Sequence, residues 1–147
     1  MKIIILLTSF LCVNILFANS SVYVSLAADK CKKIFEDDHF REDKCKGPKG
    51  HAVHVLDGGG MQIQFDIKYK DKSLSVWSVA EPKVVEYRLN AQQEVIGLIM
   101  RIFTFKDYTL EDTSKKTSLL YVYSFEKGIK LLGKVKGNKQ ARALIDK

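Results

Sequence analysis

Three groups of residues have the types that chemistry needs. His51-Ala52-Val53-His54 offers two imidazoles to a metal ion, with His39 and the acidic trio Glu36-Asp37-Asp38 close by in the chain. Gly58-Gly59-Gly60 offers exposed backbone of the kind that cradles phosphates. Glu86, Arg88 and Arg101 place charge inside otherwise apolar stretches, where a charge is costly unless it is paired. The first two groups fail on geometry. In a strand, positions three apart project to opposite faces, so His51 and His54 cannot share an ion without a bulge. The glycines lead into the most regularly alternating segment of the chain rather than into a helix N-terminus, which makes them a turn. No Gly-x-Ser-x-Gly occurs to seat a serine nucleophile. No catalytic residue, no metal ligand and no cofactor is therefore assigned. The third group reads as a structural ion pair, with an anion-recognising arginine in a cleft as the alternative.

The elements that must carry these residues are strands. Met61, Ile63, Phe65, Ile67 and Tyr69 interleave with Gln62, Gln64, Asp66, Lys68 and Lys70, the period of two expected of a half-buried strand. Similar segments are His51–Leu56, Leu74–Val79, Val84–Leu89, Val95–Phe105, Ser118–Phe125 and Ile129–Val135, separated by short polar or glycine-containing turns. The expected fold is mainly β: one antiparallel domain of about seven strands, as a single sheet, a sandwich or a barrel, because no helix-length crossover separates the strands. Val95–Phe105 is apolar on both faces except for Arg101, as a central strand covered on both sides would be. A hairpin through Asn90–Gln93 would bring Arg101 near Glu86. Trp77, the only tryptophan, is expected to pack in the core or on a sheet face. A short amphipathic helix closes the chain, with Asn138 as N-cap, Ala141, Leu144 and Ile145 facing inward and Lys139, Arg142 and Lys147 facing solvent.

The beginning of the chain is of another kind. Met1-Lys2 precedes an apolar run from Ile3 to Ala18 broken only by Thr8, Ser9 and Asn14, the pattern of a secretory leader rather than of a membrane span. Small residues at the scissile position allow cleavage after Ala18, Ser20 or Ala27, and the last is preferred, giving a leader of 1–27 and one domain of 28–147. Phe10 and Leu11 before Cys12 argue against lipidation. Membrane attachment would come only through an uncleaved leader. Export leaves Cys31 and Cys45 as the remaining thiols in an oxidising compartment, secreted or periplasmic, and they are expected to form a disulfide that closes an otherwise polar N-terminal loop.

Charge is unevenly distributed. The chain has 24 Lys+Arg against 17 Asp+Glu, yet residues Ala28 to Glu126 balance at 16 and 16. The excess lies in the last 21 residues, where seven basic side chains face Asp146 alone. Lys130, Lys134, Lys136, Lys139 and Arg142 make this end the expected contact surface for a protein partner with an acidic surface or for an anionic envelope component. Lysines on an edge strand also guard against aggregation. Nucleic acid is not expected, because 20 of the 24 basic residues are Lys and no aromatic residues interleave with them at this end.

Cys31 with Cys45-Lys46-Gly47, Gly50, Val53, Val55 and Asp57-Gly58, followed by Val85-Glu86-Tyr87-Arg88-Leu89, Ile99-Met100-Arg101, Leu120-Tyr121-Val122, and Asn138, Ala141, Leu144 and Asp146, resembles a family of small secreted alphaproteobacterial proteins of unknown function. The chain is also similar to Sec-exported candidate effectors of host-restricted bacteria. Family members carry a Cys-His pair before the terminal helix where this chain has Lys130-Leu131-Leu132-Gly133, so no role for that pair transfers. Three classes of function follow: an exported, non-catalytic binding protein acting on a host or envelope partner; a periplasmic structural factor of the envelope; and a small hydrolase whose site the sequence does not reveal.

Overall fold

Strands form where apolar and polar side chains alternate, and also in two charged stretches where they do not. The structure, a computed structural model, describes residues 18–106 and 115–147. In chain order the elements are β1 (Ser20–Ser25), β2 (Lys32–Glu36), β3 (Arg41–Lys46), β4 (His51–Asp57), β5 (Ile63–Tyr69), β6 (Lys72–Ser78), β7 (Val84–Leu89), β8 (Val95–Phe105), β9 (Lys116–Ser124), β10 (Lys130–Val135) and the helix α1 (Asn138–Ile145). They build two five-stranded sheets, ordered β1-β7-β8-β9-β10 and β2-β3-β4-β5-β6, with antiparallel pairing throughout.

The mainly β class and the C-terminal helix agree with the sequence. The count does not: the described residues hold ten strands rather than about seven, and of the three expected arrangements the single sheet and the barrel fall away, since the strands form two sheets and neither closes. The seven expected strands are β4 to β10. The three additional ones are β1, β2 and β3. The first sheet gains β1 as an edge, and the second is completed by β2 and β3, the segment expected to be a polar loop.

Alternation places the core between the sheets. From the second sheet Val53, Val55, Phe65, Ile67 and Val76 point inward, and from the first Val85, Tyr87, Leu98, Met100, Ile102 and Tyr123 meet them in one cluster. Each large side chain fully withdrawn from water contributes ~1.5–3 kcal/mol. Leu26, just after β1, is fully buried in the same cluster. β1 pairs with β7 along its whole length, from Ser20 opposite Leu89 to Ser25 opposite Val84. A domain beginning at residue 28 leaves out this strand and this core residue. Of the leader expected over 1–27, residues 1–17 lie outside the described residues, and β1 and Leu26 lie in its remainder.

α1 covers the other face of the first sheet. Ala141, Leu144 and Ile145 pack on Ile99, Leu120 and Val122, so β8, third of five strands, is covered on both sides as its unbroken apolar run requires. Contact is close at Gly97, where a Cβ would stand 2.5 Å from the Tyr123 carbonyl oxygen and 2.8 Å from Ile145 Cδ1. Asn138 is not the cap: it is the first helical residue, Gly137 precedes it with extended backbone, and no side chain caps the helix.

Candidate functional site

Cys31 and Cys45 form the expected disulfide, joining the residue before β2 to β3. On β4 the two histidines project to opposite faces. His51 is buried between the sheets, stacked on Tyr69 with ring centroids 3.9 Å apart, and its Nδ1 lies 3.0 Å from the Pro48 carbonyl oxygen. Burial pushes its pKa below the ordinary histidine value. His54 lies on the outer face of the second sheet, with Nδ1 2.6 Å from Glu42 Oε1. The glycine run is a turn: the Asp57 carboxylate accepts a hydrogen bond from Gly59 N–H at 2.9 Å, and Gly59 has a φ of 69°.

Glu86 and Arg88 share the helix-covered face of β7 and are 5% and 6% exposed. Their partners come from the two ends of the described chain. Arg142 on α1 donates to Glu86 Oε1 at 2.7 Å and Oε2 at 3.1 Å, and Ser21 Oγ on β1 donates to Oε1 at 2.5 Å. Arg88 grips Asp146 in a fork, Nε to Oδ1 at 3.2 Å and Nη2 to Oδ2 at 2.5 Å, and Nη1 donates to Ser21 Oγ at 2.6 Å. Arg142 also donates to the Tyr23 hydroxyl at 2.7 Å. Burial alone would raise the Glu86 carboxyl, but the hydrogen bonds from Arg142 and Ser21 outweigh it and hold the pKa below the usual glutamate value. The same bond raises Arg142.

Glu86 is thus ion-paired by Arg142 and not by Arg101. Arg101 Nη1 donates to Ser118 Oγ at 3.1 Å, while Arg101 and Glu86 both line a cleft of about 150 Å3 beside Asn138. The register explains this. Glu86 faces Ile99 and not Arg101, so Arg142 reaches the carboxylate from directly above it. Ser21, Tyr23 and Asp146 were not expected here. Ser21 and Tyr23 were counted with the leader, and nothing in the sequence fixes which turn of α1 lies over β7.

The basic end divides into two parts. Arg142 is committed to Glu86 and Tyr23. Lys130 and Lys134 on β10, Lys136 just after it and Lys139 on α1 are all exposed. None of these four lysines lies within ion-pair distance of a carboxylate among the described residues. β10 is the open edge of the first sheet, and Lys134 Nζ stands 4.5 Å from the centre of the Tyr121 ring, which braces it outward along that edge. Leu131 and Leu132 lie exposed between the cations.

Trp77 is not in the core. It lies on the outer face of the second sheet, 52% exposed, opposite Gln64 of β5. Gln64 Nε2 donates to Asp66 Oδ1 at 2.7 Å and to Ser75 Oγ at 3.3 Å. Alternation along β6 assigns Trp77 to one face but does not say that this face stays uncovered. Among the described residues no helix is long and apolar enough to cross a membrane. No known family matches the chain, and no curated protein or solved structure matches it either.

Proposed function

We propose that the protein is an exported, non-catalytic binding protein that contacts an acidic surface of a host or envelope partner through the edge formed by β10 and the start of α1. One observation carries this proposal: Lys130, Lys134, Lys136 and Lys139 stand exposed and without a carboxylate partner among the described residues, in a molecule that pairs Arg88 and Arg142 internally. Arg88 and Arg142 serve the fold, whereas the edge lysines meet no neutralising neighbour among the described residues and project their field outward. Their attraction acts over about a Debye length, ~8 Å at physiological salt, and raises the rate and specificity of encounter with a negative patch more than the depth of the final complex. Export is supported by the apolar leader and by a disulfide of the kind that persists in oxidising compartments.

Lys134→Glu, Lys136→Glu and Lys139→Glu introduced together test the proposal. The triple variant is expected to keep the wild-type circular dichroism spectrum and urea midpoint while binding its captured partner at least ~10-fold more weakly, with reduced salt dependence. Unchanged affinity discards the edge as the contact. Capture of a defined partner from bacterial envelope but never from host extract moves the assignment to an envelope factor.

A further inference from the structure

The outer face of the second sheet carries a second, chemically distinct surface. Phe35, Glu42, Leu56, Gln64 and Trp77 stand opposite one another in consecutive register, one from each strand, and form a single row across all five strands. Four strand spacings separate its ends, about 19 Å. Aromatic rings mark both ends: Trp77 is half-exposed on β6, and Phe35 is 49% exposed on β2, with the Phe40 ring centroid 6.1 Å from its own. At the Trp77 end of the row a cleft of about 220 Å3 is lined by Phe40, Leu56, Gln62, Gln64 and Trp77 and by two glycines of the β4–β5 turn, with Glu42 and Phe35 of the row outside it.

Two features narrow what fits. The cleft lining has no charged side chain, although 28% of the chain is charged. The polar groups that flank it are held in place by one another: Gln64 by Asp66 and Ser75, Ser75 by Asp66 at 2.7 Å, and Glu42 by His54. With its amide nitrogen committed to these bonds, Gln64 Oε1 makes no hydrogen bond among the described residues and remains an acceptor beside the Trp77 ring. A charged peptide gains nothing from an uncharged lining, and a purely apolar partner would leave this acceptor buried and unpaired. A neutral ligand with a flat C–H face and a rim of hydroxyl donors satisfies both: its C–H hydrogens meet the electron-rich ring faces, and its hydroxyls meet the amide. Pyranose rings have that shape, and the spacing of adjacent strands is close to the rise of one ring in an extended β-1,4-linked chain.

The geometry points to a binding site for a neutral polysaccharide chain laid across the strands of the second sheet, with Trp77 as the stacking platform and Gln64 as the hydroxyl acceptor. The prepositioned polar groups lower the ordering cost of binding, and affinity grows with the number of rings engaged. This site is separate from the basic edge, which belongs to the other sheet.

Because Trp77 is the only tryptophan, intrinsic fluorescence reports on this site alone. Titration of the oxidised protein with cellohexaose, chitohexaose and maltohexaose is expected to give a saturable fluorescence change with at least one of them, with a dissociation constant between ~10 μM and ~1 mM. Affinity should be unaffected by salt. By calorimetry Trp77→Ala and Gln64→Leu should each lose about tenfold or more, while Trp77→Phe retains most of the binding and the triple lysine variant retains all of it. Urea midpoints check that each variant folds, which the exposure of Trp77 favours for its two variants. No saturable signal from any hexasaccharide at tenfold above that range overturns the assignment, as does binding that survives Trp77→Ala in a folded protein. A fluorescence change that follows protein concentration without sugar, together with dimer formation in sedimentation, also overturns it and shows that a second copy covers this face.

Discussion

Arg88 is held by three hydrogen bonds to Asp146 and Ser21 in a nearly dry environment, and that makes its loss expensive. Asp146 is partly exposed and regains water when the guanidinium is removed, so the cost is that of the lost bonds to charged groups, ~1.5–3 kcal/mol. Arg88→Ala is therefore expected to lower stability by about that much in urea denaturation, and Arg101→Ala, which loses one bond to Ser118, by less than ~1.5 kcal/mol. Acid should act at two residues in turn. The pKa of His51 lies below 6.5 in the folded chain, so the unfolded chain takes up the proton first, and the stability from keeping the ring neutral is complete above 6.5 and is lost as pH falls below it. Glu86, depressed below 4.5, contributes stability that is complete above 4.5 and is lost as pH falls through its lower native value. Urea midpoints followed from pH 8 to pH 3 should thus decline in two stages, and His51→Phe, which keeps a ring against Tyr69, should flatten the first. The sequence shows that Glu86 and Arg88 need partners, because charge on an apolar strand demands neutralisation. It does not show that the partners are 56 and 58 residues away, since a short amphipathic helix can dock on a sheet in several rotations.

β1, β2 and β3 are the elements that pattern alone missed, for separate physical reasons. β1 continues the apolar and small-residue composition of the run before it, so nothing in the pattern sets it apart as a strand of the fold. β2 reads Lys-Lys-Ile-Phe-Glu and is exposed along its whole length, leaving no buried face to impose a period of two. β3 reads Arg-Glu-Asp-Lys-Cys-Lys, and its inward positions include Asp43, paired with Arg41 Nε at 3.0 Å, where a hydrophobic residue is the rule. The β4-to-β10 hairpins were readable because their alternation and turn residues agree. Two outcomes belong to these elements. Cleavage after Ala27 would remove six ladder positions of β1 and the buried Leu26, a loss that a core truncation alone puts at ~2–5 kcal/mol. If the proposed leader is removed, sequencing the N-terminus of the product is accordingly expected to begin at Asn19, with the cut after Ala18. Reduction of Cys31–Cys45, which are 14 positions apart, should cost up to ~3 kcal/mol and free β2, whose only ladder is to β3. Limited proteolysis should then cut between Lys32 and Lys46 several times faster than in the oxidised protein.

At the scale of the molecule, the two sheets expose different chemistry. The first presents lysines along the β10 edge and spends its remaining face on α1, while the second leaves its outer face open to water, with Trp77, Gln64 and Leu56 in one row and charged residues of both signs, Lys44, Asp66 and Lys68 among them, in the rows beside it. Composition gives the net charge of +7 but not this separation, which depends on β10 ending up as an edge and β6 beyond the reach of α1. The closing network has a further consequence. Tyr23 and Arg142, 119 positions apart, share a hydrogen bond, and Arg88 waits for Asp146. Until residues 138–146 have been made, Glu86 and Arg88 have only each other as counterions, without the bonds from Arg142 and Asp146, and β8 lacks half of its cover. The first sheet consequently settles into its packing late, after α1 has docked.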